Sequence, residues 1–186
     1  MPFGQSLMDN AMHTGIYIAL GANQAYRGAS PLQTLNSAIR ALHTAGVETL
    51  AASRPWRTPA WPDPSDPPFV NACIKVRTAL QPPDLMAALH TIETAHGRQR
   101  GARNAPRTLD LDLIDYDRLH QVLPGGLVLP HPRAAQRAFV LLPLREIAPH
   151  WRDPASGARI DALIGALPLA ERQACRRAGG VLCTAA

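Results

Sequence analysis

The chain has 186 residues, 46% hydrophobic and 18% charged, which suits one compact globular domain and excludes a disordered or fibrous chain. No apolar stretch approaches the roughly 20 residues of a membrane helix, and the first fifteen residues lack a basic start and an apolar middle, so a soluble, unexported protein is expected. Cys73, Cys175 and Cys183 are odd in number, widely spaced and free of any Cys-x-x-Cys pair, which excludes a readable disulfide framework or zinc knuckle and predicts reduced thiols in a cytoplasm. The formal charge is +5, yet eighteen of the nineteen basic residues are Arg. The one Lys, Lys75, stands in the apolar run Ala72-Cys73-Ile74-Lys75-Val76 with no glycine before it, which rules out a Walker loop. A positive field of this kind favours polyanionic partners, although Arg usage also tracks genome composition.

Residues before Thr14 read as a frayed start, and Ile16 to Gly21 reads as a buried first strand. Ser30-Pro31 is an N-cap followed by a first-turn proline, and Leu32, Leu35, Ile39 and Leu42 recur at helical spacing until Gly46. Val47 to Arg57 reads as a second strand broken near Pro55, and Thr58 to Pro68 as a proline-dense loop. Phe69 to Val76 is a third strand. Pro82-Pro83-Asp84 opens a second helix, with Leu85, Leu89 and Ile92 on its inner face and Gly97 at its end.

An Arg-rich loop with Arg98, Arg100, Arg103 and Arg107 follows, and Thr108 to Ile114 then alternates with period two, the mark of a strand with one dry face. Strand, helix, strand, strand, helix, strand is the split order of ferredoxin-like α+β folds: an antiparallel sheet with both helices on one face and the other face open for ligands. The tail reads as a hairpin around Pro124-Gly125-Gly126, a loop at Leu129 to Arg133, and helices near Val140–Ile147 and Ile160–Leu167. Residues 1–186 thus form one domain with a core of about 15–167 and flexible ends, Cys175 to Ala186 being loose.

Asp110 and Asp112 lie two apart on the fourth strand, so both carboxylates leave one face about 7 Å apart while Leu109, Leu111 and Leu113 face the other way. Two like charges held side by side cost free energy unless cations screen them, and hard oxygen ligands of this kind suit Mg²⁺ bound together with substrate phosphates. The plainer alternative is the wet face of an amphipathic strand. The four arginines before the pair could close over a polyphosphate, which favours phosphoryl-type transfer over a merely solvated basic loop. His131, between Pro130 and Pro132, and Arg137 are further anion-binding candidates. Phe69 and Phe139, two of three phenylalanines, could stack a flat heterocycle or fill core.

The run Pro106-Arg107-Thr108-Leu109-Asp110-Leu111-Asp112-Leu113-Ile114 closely resembles the signature of the 6-hydroxymethyl-7,8-dihydropterin pyrophosphokinase family of folate biosynthesis. The likeness extends in the family's order through Tyr17 to Asn23, Arg57-Thr58-Pro59, Phe69 to Ala72, Gly97-Arg98, Pro130-His131-Pro132 and Leu142-Pro143-Leu144, covering roughly Ile16 to Leu167.

The resemblance implies transfer of the β,γ-pyrophosphate of ATP to the pterin hydroxymethyl group with two Mg²⁺ ions. Asp110 and Asp112 match its metal ligands, and Asn71, Phe69, Phe139, Thr58 and Pro59 its pterin-binding positions. Glu93, Arg98, Arg100, Arg107, His131 and Arg137 match ATP-binding positions, and Arg98 and Arg107 with the two aspartates carry catalysis. It implies no nucleic-acid, membrane or obligate protein partner and a cytoplasmic enzyme. Where many members have Trp-Gly before Pro-Arg-Thr this chain has Asn104-Ala105, which removes an aromatic contact from the loop expected to order over substrates. An RNA-binding module of the same strand order is the competing reading, but its central strands display aromatics for base stacking and only 5% of this chain is aromatic. A non-catalytic pterin- or nucleotide-binding paralogue is disfavoured by the presence of both aspartates.

Overall fold

A computed structural model of the chain describes residues 14–60, 63, 65–98 and 107–184. Strand β1 (Ile16–Ala22) lies inside the sheet, antiparallel to β4 (Phe69–Arg77) on one side and to β5 (Asp110–Tyr116) on the other. Nearly all of its residues are buried, and it reads as a nearly continuous apolar run. The broken strand expected over 47–57 is two strands, β2 (Glu48–Ala52) and β3 (Trp56–Thr58), each antiparallel to β4. Pro55 has no N–H for a ladder, and Ser53 holds the break: its N–H donates to the Cys73 carbonyl (2.9 Å) and its Oγ accepts from the Cys73 N–H (3.0 Å). Strand β5 begins two residues later than alternation predicts.

Helix α1 (Pro31–Thr44) starts with a capping box in which Ser30 Oγ accepts from Gln33 N and Gln33 Oε1 from Ser30 N. Its Leu35, Ile39 and Leu42 join Leu85, Leu89 and Ile92 of α2 (Pro82–Ala95) against Ile18, Leu20, Ile74 and Leu111 on one face of the sheet. Both helices therefore lie where expected. The opposite face is not simply open. After the hairpin of β6 (Gln121–Val122) and β7 (Val128–Leu129), α3 (Ala138–Ile147) and α4 (Ile160–Ala166) cover its half around Tyr17, Cys73 and Ile114. Ala19, Gly21, Asn71, Asp110 and Asp112 line what is left uncovered.

The C-terminal end corrects a second expectation. Instead of running loose, the chain forms α5 (Leu169–Ala174) and β8 (Arg176–Arg177), which pairs antiparallel with the edge strand β3. Beyond it Leu182, 5% exposed, joins the helix-side core, and the Cys183 N–H donates to Asn36 Oδ1 at 2.8 Å. One apolar anchor and a free sheet edge offset the ordering entropy without any periodic pattern. The three cysteines are free, and no helix among the described residues is long and apolar enough to cross a membrane.

Asp115 follows the Asp pair but is fully buried, accepting from Trp151 Nε1 (2.8 Å) and from the Arg118 N–H (2.9 Å). Burial outweighs these donors and pushes its carboxyl up to about 6. Because the folded value exceeds that of the unfolded chain, about 3.9, the native state binds more protons between the two. Its contribution to stability is therefore greatest below about pH 4 and is lost as pH rises to about 6. Urea titrations of wild type and Asp115→Asn, which cannot ionise, should show wild type losing stability relative to the variant as pH rises across that window. A difference independent of pH would contradict it.

Candidate active site

The uncovered part of the sheet forms the floor of a cleft of about 530 Å³. Register sets its layout: Gly21 on β1 is opposite Asp110 on β5 and opposite Asn71 on β4, while Ala19 is opposite Asp112. Crossing the sheet from β5 to β3, a ligand meets carboxylates first, then two small residues, then the Asn71, Phe69 and Thr58 group. The small residues are required by space. A Cβ on Gly21 would stand 2.8 Å from Asn71 Oδ1, so any side chain there displaces the amide.

At the β5 end the two aspartates face the cleft side of the strand, as alternation predicts, and guanidiniums surround them. Arg107 Nη1 is hydrogen-bonded to Asp110 Oδ2, and Arg98 Nη1 lies 2.8 Å from Asp110 Oδ1. Arg137 Nη1 is 3.6 Å and His131 Nε2 3.9 Å from Asp112 Oδ2. The backbone places His131, whose N–H donates to the Ile114 carbonyl at 2.8 Å, while its Nδ1 accepts from the Arg133 N–H at 3.1 Å. That leaves the ring proton on Nε2, toward Asp112. Burial, and then the charge of Asp110, hold Asp112 above the usual carboxylate range against the opposing pull of His131, Arg137 and Arg107. Burial holds His131 below the usual imidazole range, with Asp112 opposing.

Glu93 is 3% exposed and does not line the cleft. Its Oε1 accepts from the Leu111 N–H, between the two aspartates, at 2.7 Å and from Arg98 Nη1. Burial raises its carboxyl, with those two donors opposing. Asn23, noted in the sequence only as part of a longer string, clamps the end of the Arg loop. Its Oδ1 accepts from the Arg107 N–H (2.7 Å), its N–H donates to the Arg107 carbonyl (3.0 Å), and its Nδ2 donates to the Pro67 carbonyl (3.0 Å).

At the β4–β3 end, Asn71 Nδ2 donates to Thr58 Oγ1 at 2.8 Å, leaving Asn71 Oδ1 beside Gly21. Thr58, Pro59, Phe69, Asn71 and Phe139, all expected around a heterocycle, line the cleft together. The Arg137 guanidinium sits 5.3 Å from the centroid of the Phe139 ring, so this residue joins the two ends. Arg107, Asp110, Asp112 and Arg137 line the cleft as well, and Arg98 and His131 reach it through their contacts with the aspartates. Arg100, Arg103, Asn104 and Ala105 lie outside the described residues. Sequence reasoning missed Arg133, Gln136, Glu171 and Cys175 in the lining, since none stands in a patterned element.

The donor chemistry fits a magnesium ion. Asp110 and Asp112 supply hard oxygens, and Asp110 Oδ1 is buried with no aligned hydrogen bond despite the nearby guanidinium. Among the described residues no group of three or more His, Cys, Asp or Glu forms a closed metal cage. One or two carboxylates completed by phosphates and waters is how Mg²⁺ is usually held.

Residues 17–149 match the family model described as 7,8-dihydro-6-hydroxymethylpterin-pyrophosphokinase (HPPK). The chain is 43% identical over 152 residues to the 2-amino-4-hydroxy-6-hydroxymethyldihydropteridine pyrophosphokinase of Synechocystis sp., covering 81% of this chain and 74% of that one. It is 40% identical over 137 residues to the protein of the same name from Methylorubrum extorquens, covering 73% and 84%. Its fold is similar to a crystal structure of wild-type Plasmodium falciparum HPPK-DHPS with pteroate, with TM-score 0.62 and 11% identity over 82% of this chain and 44% of that one. The chain thus spans less than half the length of that structure. With the family match over most of its length and relatives 43% and 40% identical to it, the chain belongs to the 7,8-dihydro-6-hydroxymethylpterin-pyrophosphokinase family.

Proposed function

We propose that the protein transfers the β,γ-pyrophosphate of ATP to the hydroxymethyl group of 6-hydroxymethyl-7,8-dihydropterin, releasing AMP, as a cytoplasmic step of folate biosynthesis. The observation that carries this reading is the two-ended cleft, with a carboxylate pair ringed by guanidiniums at β5 and an amide-and-aromatic cradle at β4 and β3. The strand order β5-β1-β4-β3, with helices α1 and α2 on one face, supports a ferredoxin-like core carrying that cleft. The names of the relatives support the same reaction.

In this mechanism the pterin hydroxyl oxygen bonds to the β-phosphorus. The bond from that phosphorus to the α,β-bridging oxygen breaks, its electron pair leaves on AMP, and the hydroxyl proton is released. Asp110 and Asp112 would hold two Mg²⁺ ions, which when bound neutralise triphosphate charge and polarise the phosphorus under attack. Arg98, Arg107 and Arg137 donate to phosphate oxygens, joined by Arg100 and by neutral His131. Glu93 acts beneath them, fixing Leu111 and Arg98 so that carboxylates and guanidiniums keep their spacing. Phe69 and Phe139 sandwich the pterin, while Asn71 and the Thr58–Pro59 backbone read its edge. Such transfer is accelerated chiefly by positioning and charge neutralisation, which these groups supply. An RNA-binding role is disfavoured because the central strands β1 and β4 present Ala19, Gly21 and Asn71 with a single aromatic, Phe69, where a stacking platform would need several, and the carboxylates of β5 beside them repel phosphates. AMP formation requiring ATP, the pterin and Mg²⁺ together is the experiment that tests the proposal.

A further inference from the structure

The family match ends at residue 149, yet the later segment reaches the cleft through Glu171, Ala174 and Cys175. Their spacing puts them on one side of α5 and its C-cap. The register of β8 says which end of the cleft they face. Trp56 is opposite Arg177 and Arg57 opposite Arg176, so the next step brings Cys175 beside Thr58. Cys175 therefore stands at the heterocycle end, with Ala174 and Glu171 in the turn of α5 just before it.

Side-chain acceptors are few there. Asn71 spends one amide N–H on Thr58 and has a single acceptor oxygen, Oδ1. An aminopteridine edge carries several N–H donors, and each one left unpaired in a cleft loses its bond to water. Three carboxylates line the cleft. Asp110 and Asp112 are engaged by Arg98, Arg107, Arg137 and His131, whereas no cation among the described residues is in salt-bridge contact with Glu171. The other two wall residues on its side of α5 are neutral, Ala174 by nature and Cys175 because burial pushes its thiol up to about 11, and Glu171 itself is exposed.

We propose that Glu171 is a specificity-determining residue whose carboxylate accepts a hydrogen bond from an amino or ring N–H of the substrate heterocycle. This rests on reading the cleft as the pterin site. It assigns substrate selection to a part of the chain outside the matched family range.

Steady-state kinetics of the full chain test it, using wild type, Glu171→Ala and Glu171→Gln with the hydroxymethylpterin and with an analogue lacking its 2-amino group. The loss of one charge-assisted bond should raise the KM for the pterin about tenfold in Glu171→Ala, while kcat and the KM for ATP stay within about twofold. Glu171→Gln, which keeps one acceptor oxygen, should recover part of the loss. Wild type should favour the 2-amino substrate over the analogue, and Glu171→Ala should narrow that preference. A pterin KM unchanged in Glu171→Ala overturns the proposal, as does a loss falling equally on both pterins or equally on ATP. The two failures are distinguishable: wild type without pterin-dependent AMP formation refutes the reading of the cleft, whereas normal wild-type turnover with an unchanged variant KM refutes only the role of Glu171.

Discussion

Asp110→Ala and Asp112→Ala should each lose turnover by roughly 10³-fold or more, because deleting a ligand of the proposed magnesium ions removes about 4 kcal/mol or more of transition-state stabilisation. Stability should respond differently in the two. Asp112 sits above the usual carboxylate range through burial and its like-charged neighbour, so its removal relieves repulsion and should leave the melting midpoint equal or higher. Asp110 is paired with both Arg98 and Arg107. These pairs are partly solvated and Arg98 keeps Glu93, which limits the cost of removing Asp110 to about 1 kcal/mol. AMP release at saturating Mg²⁺, read beside thermal melts, checks both statements. Wild-type turnover in either variant at limiting Mg²⁺ would contradict the paired-ligand assignment.

Phe139→Ala should weaken pterin binding by about 1–3 kcal/mol, the range for one aromatic stacking face. The loss for ATP should be much smaller. It should still be measurable, since the ring also carries the Arg137 guanidinium that lies beside Asp112. Calorimetric titration with each ligand separates the two effects. Equal losses would show Phe139 to be a packing residue of α3, like its buried neighbours Ala138, Val140 and Leu141.

What could be read from the residues follows from how locally each feature is determined. Helix α1 is specified by Ser30, Pro31 and Gln33 within one turn, and β5 by the alternation of leucines with Asp110 and Asp112. Of the aromatic and amide residues of the cleft, Phe69 and Asn71 stand in the quoted family strings, whereas Phe139 lies outside them. Features made by long-range contact were not legible. Arg176 and Arg177 are exposed and unpatterned, and only the free edge of β3 turns them into a strand. Nothing local to Asp115 indicates that Trp151, thirty-six residues later, covers it and donates to it. Glu93 lies among the buried positions of α2 with Leu89 and Ile92, and nothing local reveals that its acceptor serves Leu111. Half of the supposedly open face is closed by α3 and α4, whose apolar stripes gave no indication of which sheet surface they would cover.

The most direct test of the proposed chemistry is identification of the nucleotide product when ATP, the hydroxymethylpterin, Mg²⁺ and the full chain are mixed. Chromatography should find AMP and the pterin diphosphate in equal amounts, with no turnover when the pterin or Mg²⁺ is left out. ADP with a pterin monophosphate, or AMP formed without the pterin, would contradict pyrophosphate transfer between the two ends of this cleft.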